Sequence, residues 1–261
     1  MNQDYHNIAP IYDLIAARFL AGPHRDLAAA LTSGRLPLPV LDIGCGTGLL
    51  LRELEQAGVT AVGLDHSPHM LARARKNLAG ETCAARSASI SARSEKNSLG
   101  VAKTSTPQLV LGSAEALPFA DNSFDAAILS LMLHECGSHK DKKDGEEDAA
   151  HEATALRILG EAARVSKRIL VLEWKMPERN LDYLFHPPVR IIERMAGRRH
   201  YRNFCAFMAA GGMEGLIWRY NQQCYNPESG PKLLISENKF LRLGTMVLLD
   251  VRRQDNKQQN G

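Results

Sequence analysis

Val40-Leu41-Asp42-Ile43-Gly44-Cys45-Gly46-Thr47-Gly48 decides how the rest of the chain is read. Four residues suited to a buried strand run into a Gly-x-Gly-x-Gly turn, and Leu49, Leu50, Leu51, Leu54 and Ala57 then recur at helical spacing. The order is strand, glycine turn, helix. Glycine suits such a turn because the backbone bends sharply, takes up positive φ and leaves room for a ligand pressed against it. The turn also presents free N–H groups at a helix N-terminus, where polar or anionic groups are stabilised. Ala61-Val62-Gly63-Leu64-Asp65 reads as a second strand ending in a carboxylate. It lies about 20 residues beyond the glycines, the spacing used for ribose recognition. Together these features imply a ligand that contains a nucleoside.

The kind of nucleoside follows from detail. A dinucleotide fingerprint, Gly-x-Gly-x-x-Gly, places a glycine at position 49, whereas this chain has Leu49 and its third glycine one place early, at Gly48. Asp42 would face a bound pyrophosphate with like charge, and it suits a cation better. The stretch resembles the first motif of class I S-adenosylmethionine (SAM) methyltransferases. Val62-Gly63-Leu64-Asp65-His66-Ser67-Pro68-His69-Met70-Leu71 resembles the segment that follows it in that family. The resemblance implies a cofactor site formed by Asp42, Gly44, Cys45, Gly46, Asp65 and His66, with the acidic end of the second strand binding both ribose hydroxyls. Met70 belongs either to the core or against adenine.

Two further segments carry the resemblance. Gln108 to Phe119 is similar to the family segment that holds adenine, which makes Ser113, Ala114 and Glu115 cofactor candidates. An acidic residue usually stands at the place of Ser113, and a serine accepts only a weaker, neutral hydrogen bond. Glu115 either compensates or points into solvent. Asn7, Ala9, Tyr12 and Asp13 resemble the leading segment of the ubiquinone/menaquinone C-methyltransferase-like group. This implies an N-terminal helical lid over residues 1–35, with Tyr12 as its cofactor contact; padding of the sheet is the alternative.

Composition narrows the class of partner. Apolar residues make up 44% of the 261 residues and charged residues 23%, which is ordinary for a globular chain. A net charge of +3 without a clustered basic face argues against nucleic acid. The longest apolar run, Ala126 to Leu133, is far short of the ~20 residues that span a bilayer. The N-terminus has no basic-then-apolar leader pattern. Five cysteines without a Cys-x-x-Cys pair suit a reducing compartment, so a cytoplasmic location is expected.

Elements alternate along the chain as in a doubly wound α/β protein. The expected fold is a seven-stranded, mostly parallel, Rossmann-like sheet over residues 36–253 with an antiparallel last strand. The first 32 residues read as two helices separated at Gly22-Pro23. Ser67-Pro68 starts a helix over 68–79. Residues 80–107 are rich in Ser, Ala, Thr, Lys and Arg with almost no large apolar residue, and read as a mobile insertion. Ala126 to Leu133 is a central strand, 137–148 a second, charged insertion, and an amphipathic helix then ends near Ser166. A tight connection leads to the strand Ile169 to Trp174. Residues 177–213 read as helical and occupy the place where the family builds its acceptor pocket. Leu216 to Tyr225 and Gly244 to Arg252 read as an antiparallel pair, with 226–241 as the loop between them and 254–261 as a disordered tail.

Ser130 to Glu135 should line the ligand site, because ligands of open parallel sheets lie beyond the carboxyl ends of the strands. Ser130 is accordingly a cofactor candidate, and His134 is the one candidate for a general base or substrate-facing residue. A zinc motif is not expected: His139 lies five residues after His134 where His-Glu-x-x-His needs four, and Gly137 interrupts the helix. Arg198 to Arg202 either hold an anionic acceptor group or form a solvated face. The expected reaction is methyl transfer from SAM to carbon or oxygen of a small molecule, with no catalytic residue fixed. A non-catalytic SAM-binding module and a nucleotide-linked oxidoreductase remain open beside it.

Overall fold

The computed structural model describes residues 4–32, 36–79, 106–136, 144–175, 187, 189–191, 193–194, 197–223 and 231–254. Side chains are described from Arg18 in the first span and from Ala150 in the fourth, and not for Arg199. Residues 80–105 of the insertion expected at 80–107, residues 137–143, residues 177–186 of the expected helical segment and the tail from 255 lie outside these spans.

The chain begins with α1 (Asp4–Thr32), followed by β1 (Val40–Ile43), α2 (Leu49–Gln56), β2 (Ala61–Asp65) and α3 (68–79). Then come β3 (Gln108–Leu111), β4 (Ala126–Ser130), α4 (Asp144–Val165) and β5 (Arg168–Trp174). Helical residues 187, 189–191, 193 and 194 (α5), α6 (Arg198–Ala209), α7 (Gly212–Gln223), β6 (Lys232–Leu241) and β7 (Met246–Gln254) complete it. The seven strands form one sheet in the order β3-β2-β1-β4-β5-β7-β6. The first five are parallel, β7 is antiparallel to β5, and β6 is antiparallel to β7. The expected fold class is therefore the observed one.

Burial explains the strand sequences. β1 and β2 are buried throughout, as are the first four residues of β4 and the last six of β5, so they read as continuous apolar runs rather than alternating ones. Each such Val, Leu or Ile contributes roughly 1.5–3 kcal/mol by leaving water. β4 stops at Ser130 instead of Leu133, because Leu131 takes φ 51 and turns the chain out of the sheet. The link from α4 to β5 is the expected tight one, with the Ser166 hydroxyl accepting from the Arg168 N–H and donating to the Arg168 carbonyl.

Five expectations are corrected. α1 is one helix through Gly22-Pro23, not two. Pro23 has no N–H for the Phe19 carbonyl. The Arg242 guanidinium donates to that carbonyl instead and lies 4.8 Å from the Phe19 ring centroid. Leu216 to Gln223 is helix, not strand: Met213, Leu216, Ile217 and Tyr220 are buried together at helical spacing. The expected loop at 226–241 contains β6, where only Leu233 and Leu241 are buried, so there was no alternation to read. Its backbone is paired along β7, with a bulge between Ile235 and Glu237. Gln254, placed in the tail by sequence, closes β7, and residues 144–148 of the second expected insertion are the first turns of α4.

One arginine ties α4 to the loop after β3. Arg164 donates to the carbonyls of Leu117 and Phe119 and pairs with Asp121 and Glu161, while Glu161 accepts from the Leu117 N–H at 2.6 Å. Two loop carbonyls lose a charged donor in Arg164→Ala. Since the side chain is about a third exposed, the expected destabilisation is about 2 kcal/mol, read as a lower urea midpoint with an unchanged m-value. A variant as stable as the parent would show that the loop is held by its own packing.

Candidate functional site

The glycine turn leaves β1 at the carboxyl edge of the sheet. The N–H groups of Gly44 and Cys45 both reach the Leu64 carbonyl, at 2.7 and 3.0 Å, so the turn is stitched to β2. Gly46 has φ 53, and a Cβ built on it meets no described atom within 4 Å, which leaves this point of the backbone open to a ligand. Gly48 has φ 78, and its Cβ would sit 3.1 Å from that of Ala74 on α3. The first glycine property needed here is access; the second is close packing of α2 on α3.

Asp65 organises the same corner. One carboxylate oxygen accepts from the Gly46 N–H at 2.9 Å, and the other from the Ser67 N–H at 2.8 Å. The Ser67 hydroxyl accepts from the Met70 N–H at 3.4 Å, and Pro68 occupies the first helical position, which starts α3 as its sequence predicts. Each Asp65 oxygen retains a second lone pair for a hydroxyl donor. His66 is exposed beside it, and Met70 is half-buried. Asp42 lies beneath the turn, 1% exposed, with one oxygen that has no described hydrogen-bond partner. Burial, reinforced by the charge of Asp65, pushes its carboxyl up to about 7. The Cys45 thiol is likewise pushed up, first by burial and then by both aspartates, so it stays protonated.

The adenine-type segment after β3 folds on itself. Ser113 and Ala116 form a bridge, and the Ser113 hydroxyl accepts from the Glu115 N–H at 3.2 Å. Glu115 does not stand free: its carboxylate pairs with Arg157 of α4 at 2.7 Å. Ala114 is half-buried between them. Across the sheet, Ser130 at the end of β4 meets His24 of α1, Oγ to Nε2, at 3.4 Å. Burial, with Arg52 adding like charge, lowers His24 to about 4, so its imidazole is neutral. α1 thereby closes on the carboxyl edge, where Phe19 also approaches Trp174, ring centroids 6.0 Å apart. Tyr12 is on α1, but its side chain lies outside the described residues.

His134 sits elsewhere in this landscape than at an open surface. It is 2% exposed, with Nδ1 2.7 Å from Glu173 of β5 and Nε2 3.4 Å from Glu193 of α5. Glu193 also contacts Nε2 of His200, whose Nδ1 lies 3.1 Å from Glu135. The indole N–H of Trp174 donates to the other Glu193 oxygen at 2.8 Å, and the Trp174 N–H to Glu173. Burial works against the charged imidazoles, yet the surrounding carboxylates hold His134 well above its ordinary range and His200 at about 9. Burial alone would raise Glu193, but the two histidines pull it down to about 2.

Sequence reasoning singled out His134 and did not find its partners. Glu173 had one signal, an acid inside an otherwise apolar strand; Glu193 and His200 had none, since they meet His134 only through the fold. Within the Arg198 to Arg202 run, Arg198 is exposed, whereas His200 turns into this network. His24 was missed because it sits in a helix read as padding or lid.

Residues 41–168 match a family model described as a methyltransferase domain. The ubiquinone/menaquinone biosynthesis C-methyltransferase of Pseudomonas savastanoi is 28% identical over 183 residues, covering 68% of this chain and 59% of its own length. The demethylmenaquinone methyltransferase of Desulfitobacterium hafniense is 33% identical over 137 residues, 49% of this chain and 46% of its own length. An uncharacterised Synechocystis methyltransferase is 35% identical over 96 residues, 37% and 33% of the two chains. This chain thus spans one third to three fifths of the length of these relatives. Among solved structures, a SAM-dependent methyltransferase of Thermotoga maritima, described as a possible histamine N-methyltransferase, superposes with TM-score 0.54 at 16% identity over 97% of this chain and all of the other. An O-methyltransferase family protein of Burkholderia thailandensis gives 0.55 at 14% identity, over 93% and 58%. At those identities the structures share the fold. Residues 41–168 are thus similar to a methyltransferase domain, on a fold shared with SAM-dependent methyltransferase structures. Within that class the chain resembles the ubiquinone/menaquinone C-methyltransferase group.

The buried Asp42 yields a pH test. Its carboxyl titrates near 3.8 when unfolded and near 7 when folded. The unfolded chain therefore releases its proton first, and the parent loses stability as pH rises between those values. Asp42→Asn removes that loss. Urea denaturation of both chains should show the variant gaining on the parent from pH 4 to pH 7, by a few kcal/mol at about 1.4 kcal/mol per unit. A stability difference that is flat with pH would mean that the folded carboxyl ionises normally.

Proposed function

We propose that the chain transfers a methyl group from SAM to carbon or oxygen of a small-molecule acceptor. The observation that carries this reading is the convergence of the open Gly46 backbone and the pinned Asp65 carboxylate at one corner of the sheet, above a buried Asp42. A nucleoside with a cationic centre fits that corner, since Asp65 offers two acceptor oxygens to a ribose and Asp42 becomes a counter-charge when it ionises. Gly44, Cys45 and Gly46 border the same ligand, His66 stands exposed at the ribose end and Met70 supplies an apolar edge. Ser113 and Ala114 line the adenine end. Because Arg157 engages Glu115, the exocyclic amine falls to the second lone pair of the Ser113 hydroxyl and to backbone carbonyls. Ser130, hydrogen-bonded to neutral His24, lies towards the methyl-transfer end.

Methyl transfer from a sulfonium is an in-line displacement, so positive charge leaves sulfur as the acceptor gains the methyl. Orientation of the two reactants can supply on the order of 7–11 kcal/mol. A base is required only when the acceptor must first lose a proton. His134 is poorly placed for that task, being buried and held charged between carboxylates. The first part of α1, with Tyr12, acts as the lid that keeps water out, and residues 177–213 form the acceptor side. The fold contains no helix long and apolar enough to cross a membrane among the described residues. The near-balanced charge supports a small acceptor rather than nucleic acid, and the odd number of cysteines without a Cys-x-x-Cys pair supports a cytoplasmic setting.

Calorimetry with SAM and S-adenosylhomocysteine, with NADH as control, tests the reading. Micromolar binding of both SAM ligands and none of NADH is expected, with about a 100-fold loss in Asp65→Ala, the equivalent of two charge-assisted hydrogen bonds. NADH binding without SAM binding would assign the corner to a dinucleotide.

A further inference from the structure

We propose that His134, Glu193 and His200 form a binding site for one divalent transition metal of the zinc class. The three donors come from the loop after β4, from α5 and from α6, and their ligand atoms all lie within 4.8 Å of one another. Both imidazoles aim Nε2 at the same Glu193 oxygen. The 3.4 Å between His134 Nε2 and that oxygen matches the edge of a tetrahedron centred about 2.1 Å from each ligand, the bond length of zinc to nitrogen or oxygen, whereas His200 Nε2 contacts the oxygen more closely than such an edge and draws back to admit an ion.

The surroundings are those of a built metal site rather than a chance meeting of polar groups. Each Nδ1 is held by a second carboxylate, His134 by Glu173 at 2.7 Å and His200 by Glu135 at 3.1 Å. That arrangement sets the tautomer that leaves Nε2 free for a metal and raises its basicity. The Trp174 indole fixes the remaining Glu193 oxygen, and Phe204 and Phe207 wall the His134 ring at centroid distances of 6.1 and 6.5 Å. His134 and Glu193 are each 2% exposed. Two imidazoles and one carboxylate favour a zinc-class ion over magnesium, which prefers oxygen ligands.

Three protein donors leave at least one coordination position for water or for an oxygen of a bound molecule. The cluster lies just past the carboxyl ends of β4 and β5, on the side of the sheet edge where α5 and α6 pack. An acceptor oxygen bound there would have its proton acidified without a protein base; this part of the inference rests on the methyl-transfer reading above.

The test uses the full chain, freed of any histidine tag and stripped with chelator, without SAM or acceptor. Zn2+ is titrated against a chromophoric chelator, and Co2+ is added separately as a spectroscopic probe, with Mg2+ as control. One equivalent of Zn2+ should bind, Co2+ should give the intense visible bands of a low-coordinate site with nitrogen ligands, and Mg2+ should not compete. Glu193→Gln and His200→Ala should each weaken Zn2+ at least 100-fold, and Glu135→Gln about 10- to 100-fold. Failure of the parent to bind a stoichiometric ion would overturn the site and leave a proton-sharing network, as would Zn2+ affinity unchanged in Glu193→Gln. If the variants do not fold, the Co2+ spectrum of the parent decides, and absent bands reject the proposal. SAM calorimetry on the same stripped parent separates loss of this site from loss of the methyltransferase reading.

Discussion

The Asp65 carboxylate is the tie on which the cofactor corner depends. It stands at the end of β2, yet it holds the N–H of Gly46 in the turn after β1 and that of Ser67 at the start of α3. Three elements are thereby fixed relative to one another by one buried carboxylate. A polar group in such a place is costly unless it is hydrogen-bonded. Asp42, buried on the neighbouring strand with one oxygen that has no described hydrogen-bond partner, is pushed towards the neutral form by burial and then by the charge of Asp65. The neutral form spares the apo corner a second negative charge, and the arrival of a cation would restore it.

The second centre of order is polar and lies farther along the sheet edge. β4 and β5 are the most apolar strands, but their ends deliver His134 and Glu173 into contact, and α5 and α6 bring Glu193 and His200 to meet them. Burying His134, Glu173 and Glu193 together, with His200 half-buried beside them, is costly unless each is paired. Here every described member has a partner, so the helical stretch after β5 is fastened to the sheet by charge as well as by Phe204, Phe207 and Met213 in the core. The helix α1 is fastened in a similar way, through His24 on Ser130 and Arg242 on the carbonyl that Pro23 leaves unpaired.

Much of this was legible in the chain. Short runs rich in Val, Leu, Ile and Ala mark β1, β2, β4 and β5, which are buried at nearly every position and so show no alternation. The turn at Gly44 to Gly48 and the helix start at Ser67-Pro68 carry their geometry in local chemistry. The errors fall where local chemistry was ambiguous or overruled. Pro23 normally interrupts a helix, and only a distant arginine makes its tolerance visible. β6 is exposed at eight of its ten positions, so no pattern announces it; its pairing to β7 supplies the reason for its conformation. α7 was misread because Leu216, Trp218 and Tyr220 also fit a two-residue alternation.

The sequence by itself determined the strand–turn–helix unit, the parallel core and the carboxylate at the end of β2, because each rests on residues within a few positions of one another. The tertiary structure alone decided the company that His134 keeps, the pairing of Glu115 with Arg157 and the continuity of α1. Those depend on side chains separated by 39 residues or more, as in His134 and Glu173, or by as many as 223, as in Phe19 and Arg242. Burial then fixes their charge, because a group removed from water takes its protonation state from whichever neighbours the fold has placed beside it.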